Sequence, residues 1–483
     1  MEKDTEHMPD QEKEKLFTLS ELRKELGISL VLARKLINWG TIEAVQTVDG
    51  TIRITESQLH QAREILKNPW KRAYLYLKSL GPGLITGAAD DDPSGIGTYS
   101  SVGAALGYKI IWMALWLLPL MCAVQETCAR IGVVTNRGLA GVLKKHYAKA
   151  IVAIIVLLLI IANIANIGAD LGAMAASTKL IINIDFNILA IAYTIIIILI
   201  EILIPYHLYS KILKWLTLSL VAYIICGFIV HPEWWTIIKE AIIPDIVLKK
   251  EYIFAMVAVF GTTISPYLFF WQTSEEVEEN IEARGLKPVS IKNRIANMRT
   301  DVKTGMVFSN LAFFFIVVTT ASVLFKNGIN DIASAEQAAL ALKPLAGDKA
   351  FLLFALGIVG TGLLAIPVLA GSGAYALSEL MNWKEGLSNK FSKAKSFYLV
   401  ISVSILLGLA INFLGIPPIK ALYYAAFLNG VIAIPLLFVI MVVGNDSRIM
   451  GDETHPRWVK FFGWVAVVFS FLAAITYLIM NFF

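Results

Sequence analysis

Beyond Lys78 the chain is a succession of long apolar runs, at about 79–107, 110–131, 149–177, 186–205, 210–230, 251–273, 302–325, 350–380, 396–414, 421–444 and 459–482. No other feature limits the fold as much. Most of the runs reach the roughly 20 residues needed to cross the hydrocarbon of a bilayer. Eleven of them cannot all be buried in one soluble core, so the expected fold is an all-α membrane protein of eleven transmembrane helices. Of the 483 residues, 57 % are hydrophobic and 16 % charged. A soluble domain is nearer one-half apolar and about one-quarter charged. A soluble enzyme domain and a disordered chain are therefore both excluded. Cys122, Cys128 and Cys226 all lie inside apolar runs, without CxxC spacing or a histidine pair nearby. Packing in the membrane core is expected for them, rather than a disulfide or a zinc site.

Basic residues orient the spans. Alternate loops carry twenty Lys and Arg on the side shared with the N-terminus and nine on the other. By the positive-inside rule the N-terminus is cytosolic and the C-terminus external, in a cell (inner) membrane. No positively charged start followed by a short apolar stretch is present, so a cleaved signal peptide is not expected.

The charged residues 1–15 read as a disordered tail, 16–67 as a small soluble domain and 68–78 as a linker. Thr18 and Glu21 have capping-box spacing. A second helix is expected from Ser29 to Gly40, then a hairpin of Ala44–Val48 and Thr51–Ile54 around Asp49-Gly50, then a third helix over Glu56–Leu66. This order resembles the winged helix-turn-helix domains of MerR-type regulators and excisionases. Residues 16–67 hold seven basic and six acidic side chains, and only Arg34 and Lys35 offer a basic face. Phosphate neutralisation needs more than that. A regulatory or assembly role is favoured over nucleic-acid binding, which stays open through residues 16–67.

Two spans are interrupted. The first contains Asp90-Asp91-Asp92-Pro93-Ser94-Gly95-Ile96-Gly97. A charge at mid-membrane costs about 3 kcal/mol even on the lenient insertion scale. Pro93 removes a backbone donor and disfavours helical geometry at Asp92. The segment reads as two half-helices joined by an unwound link, which is tolerated only where it lines a cavity. The sixth span carries Gly261-Thr262-Thr263-Ile264-Ser265-Pro266-Tyr267. Interrupted helices at corresponding positions of two five-helix halves point to a secondary transporter with a midplane site.

These residues resemble the Nramp family of divalent-metal transporters, over about four-fifths of the chain. The family signature Asp-Pro-Gly-Asn falls on Asp92-Pro93-Ser94-Gly95. The second signature, Ala-Thr-Val-Met-Pro-His, falls on Thr262 to Tyr267. Arg130 to Ala140 resembles the loop after span 2, and Ile167 to Leu171 resembles span 3. The resemblance implies a 5+5 inverted repeat of the LeuT type plus one extra helix. It implies a divalent metal ion as cargo, and a carrier rather than an enzyme, without a cofactor. Of the family's metal-binding side chains only the aspartate persists, as Asp92. Gly95 stands at the asparagine position, Ser265 at the methionine position and Tyr267 at the histidine position. A thioether selects softer transition metals. An oxygen-only set of Asp92, Asp91, the Thr262 and Ser265 hydroxyls and unwound carbonyls suits Mg²⁺. Nramp-related magnesium transporters likewise lack the methionine, and Mn²⁺ with broad specificity stays open. Of the family's acidic pair in span 3, Asp170 is present and Asn163 replaces the other. Span 9 has no Lys, Arg or His. Weak or absent proton coupling follows, with Asp90 and Asp170 as candidates for a proton or coupling-ion route.

Rival readings are kept. The N-terminus of the second half-helix, at Ser94 and Gly95, is a ready anion site, so a small anion such as bicarbonate is an alternative cargo. Repulsion from three aspartates weighs against it. A receptor-like protein and a membrane-tethered transcriptional regulator are alternatives of other classes. Gln272 and Asn429 are candidate pathway residues, Asn429 also serving equally well as an interhelical hydrogen bonder. Glu275, Glu276, Glu278 and Glu279 read as a solvated helix end or an acidic vestibule, and Glu126 as the partner of a loop arginine. Trp112, Trp116, Trp234 and Trp235 suit the membrane interface.

Overall fold

A computed structural model describes residues 16–28, 32–33, 36–37, 41–46, 52–72, 75, 82–204, 220–282, 290–387 and 389–482. The chain forms two compact units. One holds residues 1–81 with 292–297, the other residues 82–291 with 298–483.

In the first unit, strand β1 (Leu16–Thr18) leads into α1 (Leu19–Leu26), and β2 (Val45–Gln46) and β3 (Ile52–Thr55) lead into α2 (Glu56–Lys67). The antiparallel sheet runs β1-β3-β2, with Phe17 opposite Ile54 and Val45 opposite Arg53. The capping box is present. Thr18 N–H donates to Glu21 Oε2 at 2.8 Å, and Glu21 N–H donates to Thr18 Oγ1 at 3.2 Å. Gly27 ends α1 in the left-handed region at φ 60°, a conformation that costs glycine no steric penalty. Leu22, Leu32, Leu36, Ile54, Leu59 and Leu66 make the core. Of the expected second helix, Leu32, Ala33, Leu36 and Ile37 are helical. Its remaining central residues, and the Asp49-Gly50 turn, lie outside the described residues. The strand β1 was not expected, because three residues carry too little alternation to register.

The second unit is helical. Its first span is split into α3 (Pro82–Asp90) and α4 (Pro93–Leu106). Then come α5 (Trp112–Thr135), α6 (Leu139–His146), α7 (Lys149–Lys179), α8 (Phe186–Leu203), α9 (Val221–Ile229) and α10 (Trp234–Ile242). The second broken span is α11 (Lys250–Thr263) and α12 (Pro266–Glu282). It is followed by α13 (Ile291–Val323), α14 (Ala335–Ala339), α15 (Lys343–Ala346), α16 (Ala350–Met381), α17 (Lys395–Ile411), α18 (Pro418–Asn445), α19 (Ser447–Met450) and α20 (Arg457–Phe482). Among the described residues, nine stretches are helical and long and apolar enough to cross a membrane. The split first span adds two halves that are each too short to count alone. The expected span 210–230 falls partly outside the described residues, with α9 as its described part.

Burial separates centre from rim. In Lys250–Glu279, 94 % of the apolar window is buried, against 28 % in Phe186–Leu203. The broken helix is therefore central, and α8 presents Ile188, Ile191, Ile195 and Leu199 outward. Without a hydrophobic force between helices in lipid, close contact comes from small residues. A Cβ at Gly87 would strike the Gly305 backbone, and one at Gly261 the backbones of Ala426 and Gly430. α3 therefore lies directly on α13, and α11 on α18. α4 also packs on α11, α18 and α7, while α3 packs on α12 and α16. Trp112 corrects an expectation. It is buried, and its Nε1 donates to Tyr252 Oη at 2.8 Å. Trp116 and Trp235 are exposed. The three cysteines are buried and free.

Candidate functional site

Asp92 builds the first break. Its backbone is extended (φ −66°, ψ 173°), and Pro93 occupies the first helical position of α4, where a missing N–H costs nothing. Asp92 Oδ1 accepts from the Gly95 N–H at 2.7 Å, so the carboxylate caps α4. The Asp92 carbonyl accepts from the Ile96 N–H at 3.1 Å. The second break is built by Ile264, Ser265 and Pro266. Ser265 Oγ donates to the Gly261 and Thr262 carbonyls at 2.8 and 3.0 Å. It thus occupies carbonyls that the break would otherwise release. Thr262 is buried beside it.

Tyr267, the first residue after the second proline, joins the two breaks. Its hydroxyl lies 2.8 Å from the Ala89 carbonyl and 3.4 Å from Asp92 Oδ2. The other partner of Asp92 Oδ2 is Asn166 Nδ2 on α7, at 2.9 Å. Asn166 Oδ1 in turn accepts from Asn429 Nδ2 on α18 at 3.3 Å. Asp92, Tyr267, Asn166 and Asn429 therefore form one buried chain of hydrogen bonds across four elements. Asp170, one helical turn after Asn166 on α7, is also buried, and neither carboxylate oxygen has a hydrogen-bond partner among the described residues. Ser94 Oγ is buried and unpartnered as well. The cluster thus gathers a carboxylate and two side-chain amides, all buried among apolar helices.

Asp90 and Asp91 go elsewhere. Both carboxylates turn to Ser309 of α13, whose Oγ lies 2.6 Å from Asp90 Oδ2 and 3.3 Å from Asp91 Oδ1. The three consecutive aspartates thus divide between two partners. Gln272 also sits apart, with its Nε2 donating to Glu276 Oε1 at 2.9 Å and its Oε1 accepting from Thr86 Oγ1. The expected solvated glutamates belong to α12 itself. Glu276 is buried and Glu278 Oε1 accepts from Tyr375 Oη at 3.2 Å, because the helix continues well past the apolar run. Glu126 pairs with Arg130 of its own helix at 2.8 Å and with Arg299 of α13 at 2.9 Å. Asn163 Nδ2 donates to the Leu369 carbonyl and Ser372 Oγ of α16, both at 2.8 Å.

Sequence reasoning missed Asn166 and Ser309. For Asn166 a signal existed: Asn163, Asn166 and Asp170 lie at i, i+3 and i+7 of an apolar helix and so share one face. For Ser309 none did, since a serine in an apolar run commonly bonds its own backbone.

The family profile described as Natural resistance-associated macrophage protein-like (Nramp) matches residues 83–480. Two relatives carry the description divalent metal cation transporter MntH. One, from Klebsiella pneumoniae subsp. pneumoniae, is 24 % identical over 400 residues, covering 82 % of this chain and 92 % of the relative. The other, from Klebsiella pneumoniae strain 342, is 25 % identical over 395 residues, with 81 % and 91 % covered. Among solved structures, the Eremococcus coleocola manganese transporter in complex with an aromatic bis-isothiourea substituted compound superposes with a TM-score of 0.66. It shares 16 % identity, over 83 % of this chain and 87 % of that one. The fold is thus shared with that transporter, and the profile spans the whole helical unit. The chain belongs to the Nramp family.

Proposed function

We propose that this protein carries a divalent metal cation across the membrane by alternating access, and that Asp92 is its principal ligand. The observation that carries the reading is the buried Asp92 carboxylate at the meeting point of the two breaks, beside an unpartnered Asp170. Buried ionised carboxylates are paired or coordinate a metal, and no Lys, Arg or His among the described residues pairs with either of these. The descriptions of the Klebsiella relatives as divalent metal cation transporters and of the Eremococcus protein as a manganese transporter agree with it.

The donors favour a hard ion, Mg²⁺, or Mn²⁺ with broad specificity. Gly95 and Ser265 supply neither the amide nor the sulfur of the family pattern. Asn166 and Asn429 restore amides from α7 and α18, so the set is oxygen-only. Such sites suit Mg²⁺, which keeps part of its water shell. Thr262, Ser265 and the Gly95 backbone border this set, and Tyr267 orients Asp92. Proton coupling is weak or absent, since no histidine stands at the breaks. Bicarbonate is disfavoured on local geometry, because the Gly95 N–H that an anion would need already binds Asp92. The N-terminus is cytosolic, the spans number eleven as two inverted halves of five plus one extra helix, and residues 16–67 regulate or assemble.

A flux panel in proteoliposomes tests this, with Mg²⁺, Mn²⁺, Ca²⁺ and bicarbonate and with internal pH recorded. Mg²⁺ and Mn²⁺ should enter, bicarbonate should not, and internal pH should stay flat. Asp92→Ala should abolish metal entry while the protein stays monodisperse. Undiminished entry in that variant, or bicarbonate entry alone, would overturn the reading.

A further inference from the structure

We propose that Asp90, Asp91, Ser309 and the Tyr99 hydroxyl form a second cation station, separate from the Asp92 cluster. It takes a hard cation on oxygen ligands, either Na⁺ or a second copy of the divalent cargo. The inference rests on the reading of Asp92 as the cargo ligand.

The first observation is a shortage of hydrogens. Asp90 and Asp91 are fully buried and present four carboxylate oxygens. One hydroxyl, that of Ser309, serves two of them. Asp90 Oδ1 and Asp91 Oδ2 have no hydrogen-bond partner among the described residues, and no described Lys, Arg or His pairs with either carboxylate. Two adjacent buried carboxylates either take up protons or are held ionised by a bound cation, and the four oxygens here have one hydroxyl between them. Because Asp90 is the last residue of α3, the negative end of that helix adds to the local preference for a cation.

The second observation is independent of the acidic run. Tyr99 on α4 is fully buried and its hydroxyl has no partner. Its ring packs on Phe313 at 4.5 Å between centroids, one turn beyond Ser309 on α13. A Cβ added at Gly95 would lie 3.2 Å from the Asp90 carbonyl and 3.4 Å from Tyr99 Cε2. The ring thus reaches back from α4 toward the end of α3. A buried hydroxyl without a partner is therefore carried by a ring that borders the Asp90 end of α3 and packs one turn from Ser309. Two carboxylates, a serine and a tyrosine hydroxyl make the oxygen set that Na⁺, Mg²⁺ or Mn²⁺ accepts.

Equilibrium binding to the purified full chain tests this, with Na⁺, Mg²⁺ and Mn²⁺ supplied singly and together. The wild type should bind two cations per chain. Asp92→Ala should lose one and keep the other. Asp90→Asn with Asp91→Asn should lose the one that Asp92→Ala keeps, and the cation retained at Asp92 shows that the variant is folded. Ser309→Ala should retain both but weaken the second about tenfold, equivalent to about 1.4 kcal/mol. That milder variant decides the matter alone if the double variant does not fold. A second site filled only when Na⁺ is present assigns it to Na⁺, and one filled by Mg²⁺ or Mn²⁺ alone assigns it to the cargo. A single site in the wild type, or Ser309→Ala binding with unchanged affinity, would overturn the station. If Asp92→Ala retains every site, the cargo assignment falls instead.

Discussion

Asn166 holds Asp92 in place, and its value is measurable. Its Nδ2 is one of two side-chain donors to Asp92 Oδ2, and its Oδ1 faces Asn429. A hydrogen bond to a charged group is worth about 1.5–3 kcal/mol. Asn166→Ala removes both that restraint and an amide oxygen. The expected outcome is a rise in the KM for metal flux on the order of tenfold, with protein yield unchanged; an unaltered KM would show that the amide is a bystander. A second residue speaks to stability. His455 lies in the loop between α18 and α20, buried, with both ring nitrogens lacking a hydrogen-bond partner. Burial pushes its pKa from 6.5 down to about 3, helped by the charges of Arg130 and Lys460. The unfolded chain therefore takes up this proton first as pH falls. The ring's contribution is complete above about 6.5 and is lost on the way down to about 3. At pH 5 the loss amounts to about 2 kcal/mol. Thermal unfolding in detergent should thus drop on acidification from pH 7 to 5, and His455→Leu should flatten that slope. A variant with the wild-type slope would place the titration elsewhere.

At the scale of elements, the breaks were legible and their internal geometry was not. Proline with flanking glycine in an apolar run marks where a helix must stop, and α3/α4 and α11/α12 part within a residue or two of those positions. The direction each aspartate takes depends on the dihedrals of the link, so the divergence of Asp91 from Asp92 had no sequence signature. Among the glutamates after Gln272, the burial of Glu276 was not visible, because hydropathy marks the end of the apolar run, whereas α12 continues to Glu282. Trp112 misled because position near a span end is only a correlate of exposure. Glycine contacts make a further test possible. Gly87 on α3 touches the backbone of Gly305 on α13, so no side chain can yield there. Overpacking of this kind costs about 1–3 kcal/mol or more. Gly87→Val should lower the melting temperature by several degrees and suppress flux, while an alanine at Gly328, where an added Cβ meets nothing but φ is +76°, should cost stability alone. Wild-type flux in Gly87→Val would mean that α3 and α13 do not need this contact.

At the scale of the whole molecule, the two units invite separation. The small unit has its own core of Leu22, Leu36, Ile54 and Leu59, and the family profile begins only at residue 83. Removing residues 1–67 should leave metal flux within about twofold of the full chain, measured in the same vesicles; collapse of flux would make the unit part of the transport machinery. That the chain belongs in a membrane was a matter of run length and composition, which survive any change of side-chain detail. The partnering of Asn166 with Asp92 was not visible at that level, because it joins residues 74 apart through tertiary packing.

Asp92 caps its own helix, so its charge is spread over protein donors. A bare carboxylate at such depth would be trapped on whichever side it last discharged. Here the Gly95 N–H, the Asn166 amide and the Tyr267 hydroxyl all direct hydrogen bonds to the Asp92 carboxylate. On the proposed reading of Asp92 as the cargo ligand, net metal uptake into vesicles should therefore proceed with no metal inside to exchange; uptake that requires internal metal would show that these three donors do not suffice.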